Sequence, residues 1–119
     1  MARIMIVDDA MFMRATLKKI LTGGGHEVVA EADNGVAAVE NYEALKPELV
    51  FMDITMPQKD GIGALTDIMG KYPDARIVMC SALGQESKVR EAIEIGAREY
   101  IVKPFTPDKI LDVVKRIIS

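Results

Sequence analysis

Five times along this chain a short apolar run gives way to a longer stretch whose apolar residues recur at helical spacing. The runs are RIMIV from residue 3, EVVAEA from 27, ELVFM from 48, ARIVMC from 75 and EYIV from 99. Strands that are apolar on both faces and separated by helices imply a parallel sheet covered on two sides. Five such units in 119 residues leave about 24 residues each, enough for short right-handed crossovers and no inserted domain. The expected architecture is therefore α/β, doubly wound, in one domain spanning residues 1–119 with no output domain attached.

The helical stretches carry their own punctuation. In the last, Ile110, Leu111, Val113, Val114, Ile117 and Ile118 share a face, after Thr106 as N-cap and Pro107 as first helical residue. The first carries Met13, Leu17, Ile20 and Leu21 and is ended by GGG at 23–25, which tolerates positive φ. That triplet follows its helix and lacks the lysine of a phosphate loop. The fourth stretch, residues 85–96, has an apolar stripe of only Val89, Ala92, Ile93 and Gly96 among five charged residues. Small side chains bury little area, so this helix should be held least firmly.

Charge narrows the partners. Eighteen acidic and 15 basic residues, mixed along the chain, give a net charge of −3, and nucleic acid is not an expected partner. The one cysteine, Cys80, lies in an apolar run and reads as a small buried hydrophobe. The one histidine, His26, is expected as a solvated turn residue at the opposite edge of the sheet from the strands' C-terminal ends. The N-terminus reaches two aspartates too soon for a signal peptide, and no stretch approaches the roughly 18 apolar residues of a membrane span. A cytoplasmic protein without membrane insertion is expected.

A parallel sheet delivers every strand's C-terminal end to one edge, where ligands bind. The first run ends on Asp8 and Asp9, the third on Asp53, the fourth on Ser81 with Ala82, and the fifth on Lys103. Each has a plainer reading alone: Asp9 as a helix N-cap, Ser81 as a turn residue, Lys103 as a solvated strand end. Together they are harder to set aside. A pair of carboxylates about 4 Å apart repels by on the order of 4 kcal/mol at an effective dielectric near 20, so the cluster must protonate or find a cation. Hard oxygen donors without histidine or cysteine favour magnesium, and a metal beside an ammonium and a hydroxyl suits a phosphoryl group. A carboxylate such as Asp53, ionised at neutral pH, can attack phosphorus with no general base.

The segments VDDAMFMR at 7–14, MDITMPQKDG at 52–61, SA at 81–82 and YIVKPF at 100–105 together resemble the receiver domain of two-component response regulators. The resemblance covers nearly the whole chain and is strongest to the single-domain chemotaxis regulators of the CheY type. It implies a flavodoxin-like five-stranded sheet of order 2-1-3-4-5 with five helices. It also implies a signalling protein that is not an enzyme in the ordinary sense, though it promotes its own phosphorylation and dephosphorylation. Asp53 would accept a phosphoryl group from a CheA-like histidine kinase. Asp8 and Asp9 would handle Mg2+ with the Asp53 side chain and the Thr55 backbone carbonyl. Ser81, Lys103 and the Ala82 N–H would hold the phosphoryl oxygens, and the Lys103–Pro104 bond would be cis.

By the same resemblance Ser81 and Tyr100 switch together, Ser81 moving toward the phosphoryl group and Tyr100 rotating into the space it leaves. The fourth helix, fifth strand and fifth helix would then present a surface to a target such as a flagellar motor, switch or adaptor component, with the protein a monomer. Thr55 and Leu83, two residues beyond Asp53 and Ser81, stand where side chains govern water access. A haloacid-dehalogenase-type phosphohydrolase would want a second acid where Thr55 stands. A flavin module would want a phosphate loop where Asp8 and Asp9 repel one another. A phosphorelay receiver, or one excised from a larger regulator, would look similar.

Overall fold

The computed structural model describes residues 1–118. Its elements alternate throughout: β1 (Arg3–Val7), α1 (Met11–Gly23), β2 (Glu27–Ala32), α2 (Gly35–Leu45), β3 (Leu49–Asp53), α3 (Gly61–Lys71), β4 (Ile77–Ser81), α4 (Glu86–Ile95), β5 (Glu99–Val102) and α5 (Pro107–Ile118). All strand pairs are parallel, in the order β2-β1-β3-β4-β5. That is the expected doubly wound α/β architecture, order included.

Side-chain alternation divides the core into two layers. Leu49 and Phe51 of β3, with Ile4, Ile6, Val78, Cys80 and Ile101, pack against Leu17 and Leu21 of α1 and Ile110, Val113 and Val114 of α5. On the other face Met5, Val7, Val50, Met52, Ile77 and Met79 meet α2, α3 and α4. β3 and β4 are buried along their whole length and β1 nearly so, whereas the outer strands β2 and β5 expose residues on at least one face. The two-sided apolar pattern is thus a property of the three inner strands.

Local signals fall where the residues dictate, with two adjustments. Thr106 Oγ1 accepts from the Lys109 N–H at 3.3 Å, and Pro107 opens α5. α4 has one buried residue, Ala92, the fewest of the described helices. α1, however, is not capped by Asp9: its cap position is Ala10, whose methyl can accept no bond, and Asp8 Oδ1 accepts from the Ala10 N–H at 2.9 Å. His26 is half-buried, and its Nδ1 accepts from the Ala2 N–H at 3.1 Å, so it pins the start of β1. Within the glycine triplet only Gly25 takes a positive φ, 87°.

Candidate functional site

Register builds the site before any side chain is considered. Val7 of β1 pairs with Met52 of β3, so Asp8 leaves β1 beside Asp53, and Asp53 pairs with Cys80 of β4. Asp8 and Asp53 are buried and Asp9 is exposed; carboxylate oxygens of all three lie within 4.8 Å of one another. Lys103, just beyond β5, reaches back across the sheet edge. Its Nζ lies 3.0 Å from Asp8 Oδ2 and 3.2 Å from Asp53 Oδ1. The Lys103–Pro104 peptide is cis.

Backbone contacts fix this geometry. The Arg14 guanidinium donates to the Asp8 carbonyl at 2.7 Å and pairs with Glu31 of β2 at 3.3 Å, anchoring the turn between β1 and α1. The Gly61 N–H donates to the Ile54 carbonyl at 2.7 Å, and α3 starts so close to β3 that a Cβ on Gly61 would lie 1.9 Å from the Asp53 carbonyl oxygen. Only glycine permits that approach. Asp60 caps α3, its Oδ1 accepting from the Gly63 N–H at 2.8 Å.

Burial sets the electrostatics. It raises the Asp53 carboxyl above its ordinary value; Lys103 opposes the rise, and Asp8 and Asp9 add to it. The carboxyl expected to be unperturbed is therefore held above its ordinary value by burial, with Lys103 limiting the rise. Burial works to lower the Lys103 ammonium, but its hydrogen bond to Asp8 and the charges of Asp53 and Asp8 outweigh that and hold it above the ordinary value. The Cys80 thiol is pushed up to about 12, chiefly by burial, and stays a packing residue.

The donor set fits a hard divalent cation: three carboxylates converge, and among the described residues no histidine or cysteine joins them. One ammonium against three carboxylates leaves the cluster short of positive charge, a deficit such a cation would make good.

The remaining expected residues form a rim. Ser81 ends β4 in alternation with Ile77 and Met79, on the α2–α3–α4 face, whereas Asp53 alternates with Phe51 on the α1–α5 face. Its side chain is buried and lines a cleft of about 550 Å3 with Val89 and Ile93 of α4 and with Tyr100, Val102 and Leu83. Among the described residues the Ser81 hydroxyl bonds to none of Asp8, Asp53 or Lys103; its backbone carbonyl accepts from the Lys103 N–H at 2.7 Å. Tyr100, which lines that cleft, is 48% exposed. The Ala82 N–H donates to Gln85 Oε1 at 2.7 Å, and Gln85 Nε2 donates to Thr55 Oγ1 at 3.0 Å.

Sequence reasoning thus gathers the four charged residues correctly but misses Arg14 and Gln85. Arg14 stands inside the segment VDDAMFMR, at the end of the first turn of the helix that follows the aspartates. Gln85 carries no such signal, because its partners lie in two different loops.

Known proteins share this pattern. Residues 4–115 match the family described as response regulator receiver domain. Over 117 residues the chain is 54% identical to the chemotaxis protein CheY of Bacillus subtilis, covering 98% of each chain. Over 116 residues it is 50% identical to CheY of Listeria monocytogenes, again covering 98% of each. The crystal structure of a CheX–CheY–BeF3–Mg complex from Borrelia burgdorferi contains a chain that superposes with a TM-score of 0.93 at 37% identity, covering 98% of this chain and 89% of that one. A sheet of the right order, an acidic edge bridged by one lysine, and relatives matched over almost their full length lead to one assignment: the chain belongs to the response regulator receiver family and is similar throughout to CheY.

Proposed function

We propose that Asp53 accepts a phosphoryl group from a phosphohistidine of a partner histidine kinase, and that the modified protein docks on a target of chemotaxis or motility control through α4, β5 and α5. The observation that carries this is the Lys103 ammonium bridging Asp8 and Asp53, which leaves a buried, single-strand-end carboxylate next to fixed positive charge. In the transfer, an Asp53 oxygen forms the P–O bond as the P–N bond of the donor breaks, and the electron pair stays on the imidazole nitrogen. The attacking carboxylate has no proton to lose, so no general base is required.

Phosphoryl transfer asks a protein mainly for positioning and neutralised charge. Asp53 is positioned by the close approach of Gly61 and by the register of β3; Lys103 offers its ammonium to a phosphoryl oxygen once the acceptor is esterified. Asp8, Asp9 and Asp53, with the Thr55 backbone carbonyl, would hold magnesium, which when bound neutralises charge on the transferring oxygens. That a similar chain was crystallised in a complex containing BeF3 and Mg supports a site for an anion together with a metal.

The switch follows from the two faces of the sheet. Ser81 lies on the cleft side and must move to donate to the phosphoryl group; Tyr100, half-exposed at the cleft, takes the space that Ser81 leaves. Phosphate biases this equilibrium only by the difference in its interactions with the two arrangements.

Incubation with magnesium and acetyl phosphate, followed by intact mass, tests the acceptor. One base-labile phosphoryl group is expected, absent in Asp53→Asn and without magnesium. Uptake that persists in Asp53→Asn, or in a chelator, would overturn the reading.

A further inference from the structure

The Ala82 N–H, a donor the phosphoryl group would need, is already taken. Gln85 Oε1 accepts from it at 2.7 Å, and the other end of the same carboxamide is tied to Thr55 Oγ1 at 3.0 Å. Gln85 thereby closes a bridge between the loop after β3 and the loop after β4. It also stands at the cap position of α4, where its side chain makes no cap bond to the helix. We propose that Gln85 is a displaceable latch: its carboxamide occupies the Ala82 amide and restrains the start of α4 until a phosphoryl oxygen on Asp53 displaces it. The inference rests on the phosphoacceptor reading and adds a positioning residue to it.

The competition has a direction. A neutral carboxamide oxygen competes with an anionic phosphoryl oxygen, and charge-assisted hydrogen bonds are about twice as strong as neutral ones. The anion therefore wins, but only after breaking the existing bond. A neutral hydrogen bond contributes a net of about 1 kcal/mol, so the latch should weaken anion binding roughly 2- to 10-fold. Released, Gln85 frees both Thr55 and the first turn of α4, which joins the chemistry at Asp53 to the helix that lines the Tyr100 cleft.

Beryllofluoride with magnesium serves as the probe, titrated by NMR against the wild type, Gln85→Ala and Gln85→Glu. Gln85→Ala should bind it roughly 2- to 10-fold more tightly, with its affinity for magnesium alone unchanged. Gln85→Glu, whose carboxylate holds the Ala82 N–H more strongly and repels the anion, should bind more weakly than the wild type. Thr55→Val should shift in the same direction as Gln85→Ala, and the double variant should gain nothing further, because both changes open one bridge. Hydrogen exchange at the Ala82 amide, which needs no anion, should speed up in Gln85→Ala. Wild type that binds beryllofluoride while Gln85→Ala binds no more tightly would overturn the latch alone. Wild type that binds none would overturn the acceptor reading and the latch with it.

Discussion

Replacing Gly61 with alanine should damage fold and function together, and the size of the effect follows from the structure. The added Cβ would lie 1.9 Å from the Asp53 carbonyl oxygen and 2.9 Å from the Asp53 carbonyl carbon and Ile54 Cα. Ordinary contact starts near 3.4 Å, so something must move by roughly 1.5 Å. All the obstacles are backbone atoms, and β3 is buried end to end. Overpacking of a close-packed interior costs about 1–3 kcal/mol, and an immovable neighbour puts this case at the upper end, near 3 kcal/mol. For a chain of this length that lowers Tm by roughly 10 °C. The shift falls on the proposed acceptor's own peptide, and a misplacement of about 1 Å can cost a hundredfold in rate, so phosphoryl uptake from acetyl phosphate should slow by at least tenfold. Gly70→Ala, in the same helix with nothing within 4 Å of its Cβ, is the comparator. It should gain about 0.5–1 kcal/mol and leave uptake unchanged. Thermal melts and phosphorylation time courses decide the matter. Gly61→Ala melting within about 2 °C of wild type, with normal uptake, would refute the argument from close approach.

Three further outcomes follow from other parts of the molecule. Burial, then the N-terminal charge, lowers the His26 imidazolium below 6.5, with Glu48 opposing. The unfolded chain therefore takes the proton first, so stability is full above about pH 6.5 and declines as pH falls toward the lower folded value. Denaturant unfolding at about pH 7.5 and pH 5 should show that decline in the wild type and a smaller one in His26→Gln. Cys80, its thiol pushed up to about 12, should resist iodoacetamide in the native protein at mildly alkaline pH and react once unfolded, as intact mass would read. Amides of α4, with Ala92 as its sole buried side chain, should exchange faster than those of α3, which buries Gly61, Ile62, Ala64, Leu65 and Ile68.

Much of this was legible in the sequence because the signals were strong and local. The runs IMIV, LVFM and IVMC could lie only between two helical layers, and the parallel sheet that follows brings Asp8, Asp53 and Lys103 to one edge whatever the loops do. What escaped depended on loop conformation. Asp9 has the residue type of an N-cap, yet the Asp8 carboxylate satisfies the Ala10 N–H and Asp9 faces solvent. His26 follows three glycines and reads as solvated, but the return of β2 alongside β1 puts its ring against the Ala2 amide. Gln85 has no pattern to betray it, since its two partners are three and thirty residues away. The raised Asp53 carboxyl likewise needed coordinates, because burial, which drives it, is a property of the assembled sheet.

The alternation of side chains across the inner strands has an evolutionary corollary. Asp53 follows Phe51 on one face of the sheet, and Ser81 follows Met79 on the other, so the proposed acceptor and the α4 side of the proposed docking surface are separated by a single layer of backbone. Substitutions on the exposed parts of α4 and β5 would then rewrite which protein is addressed without disturbing the residues that package Asp53. Lineages sharing this scaffold could diverge in allegiance while keeping one common chemistry.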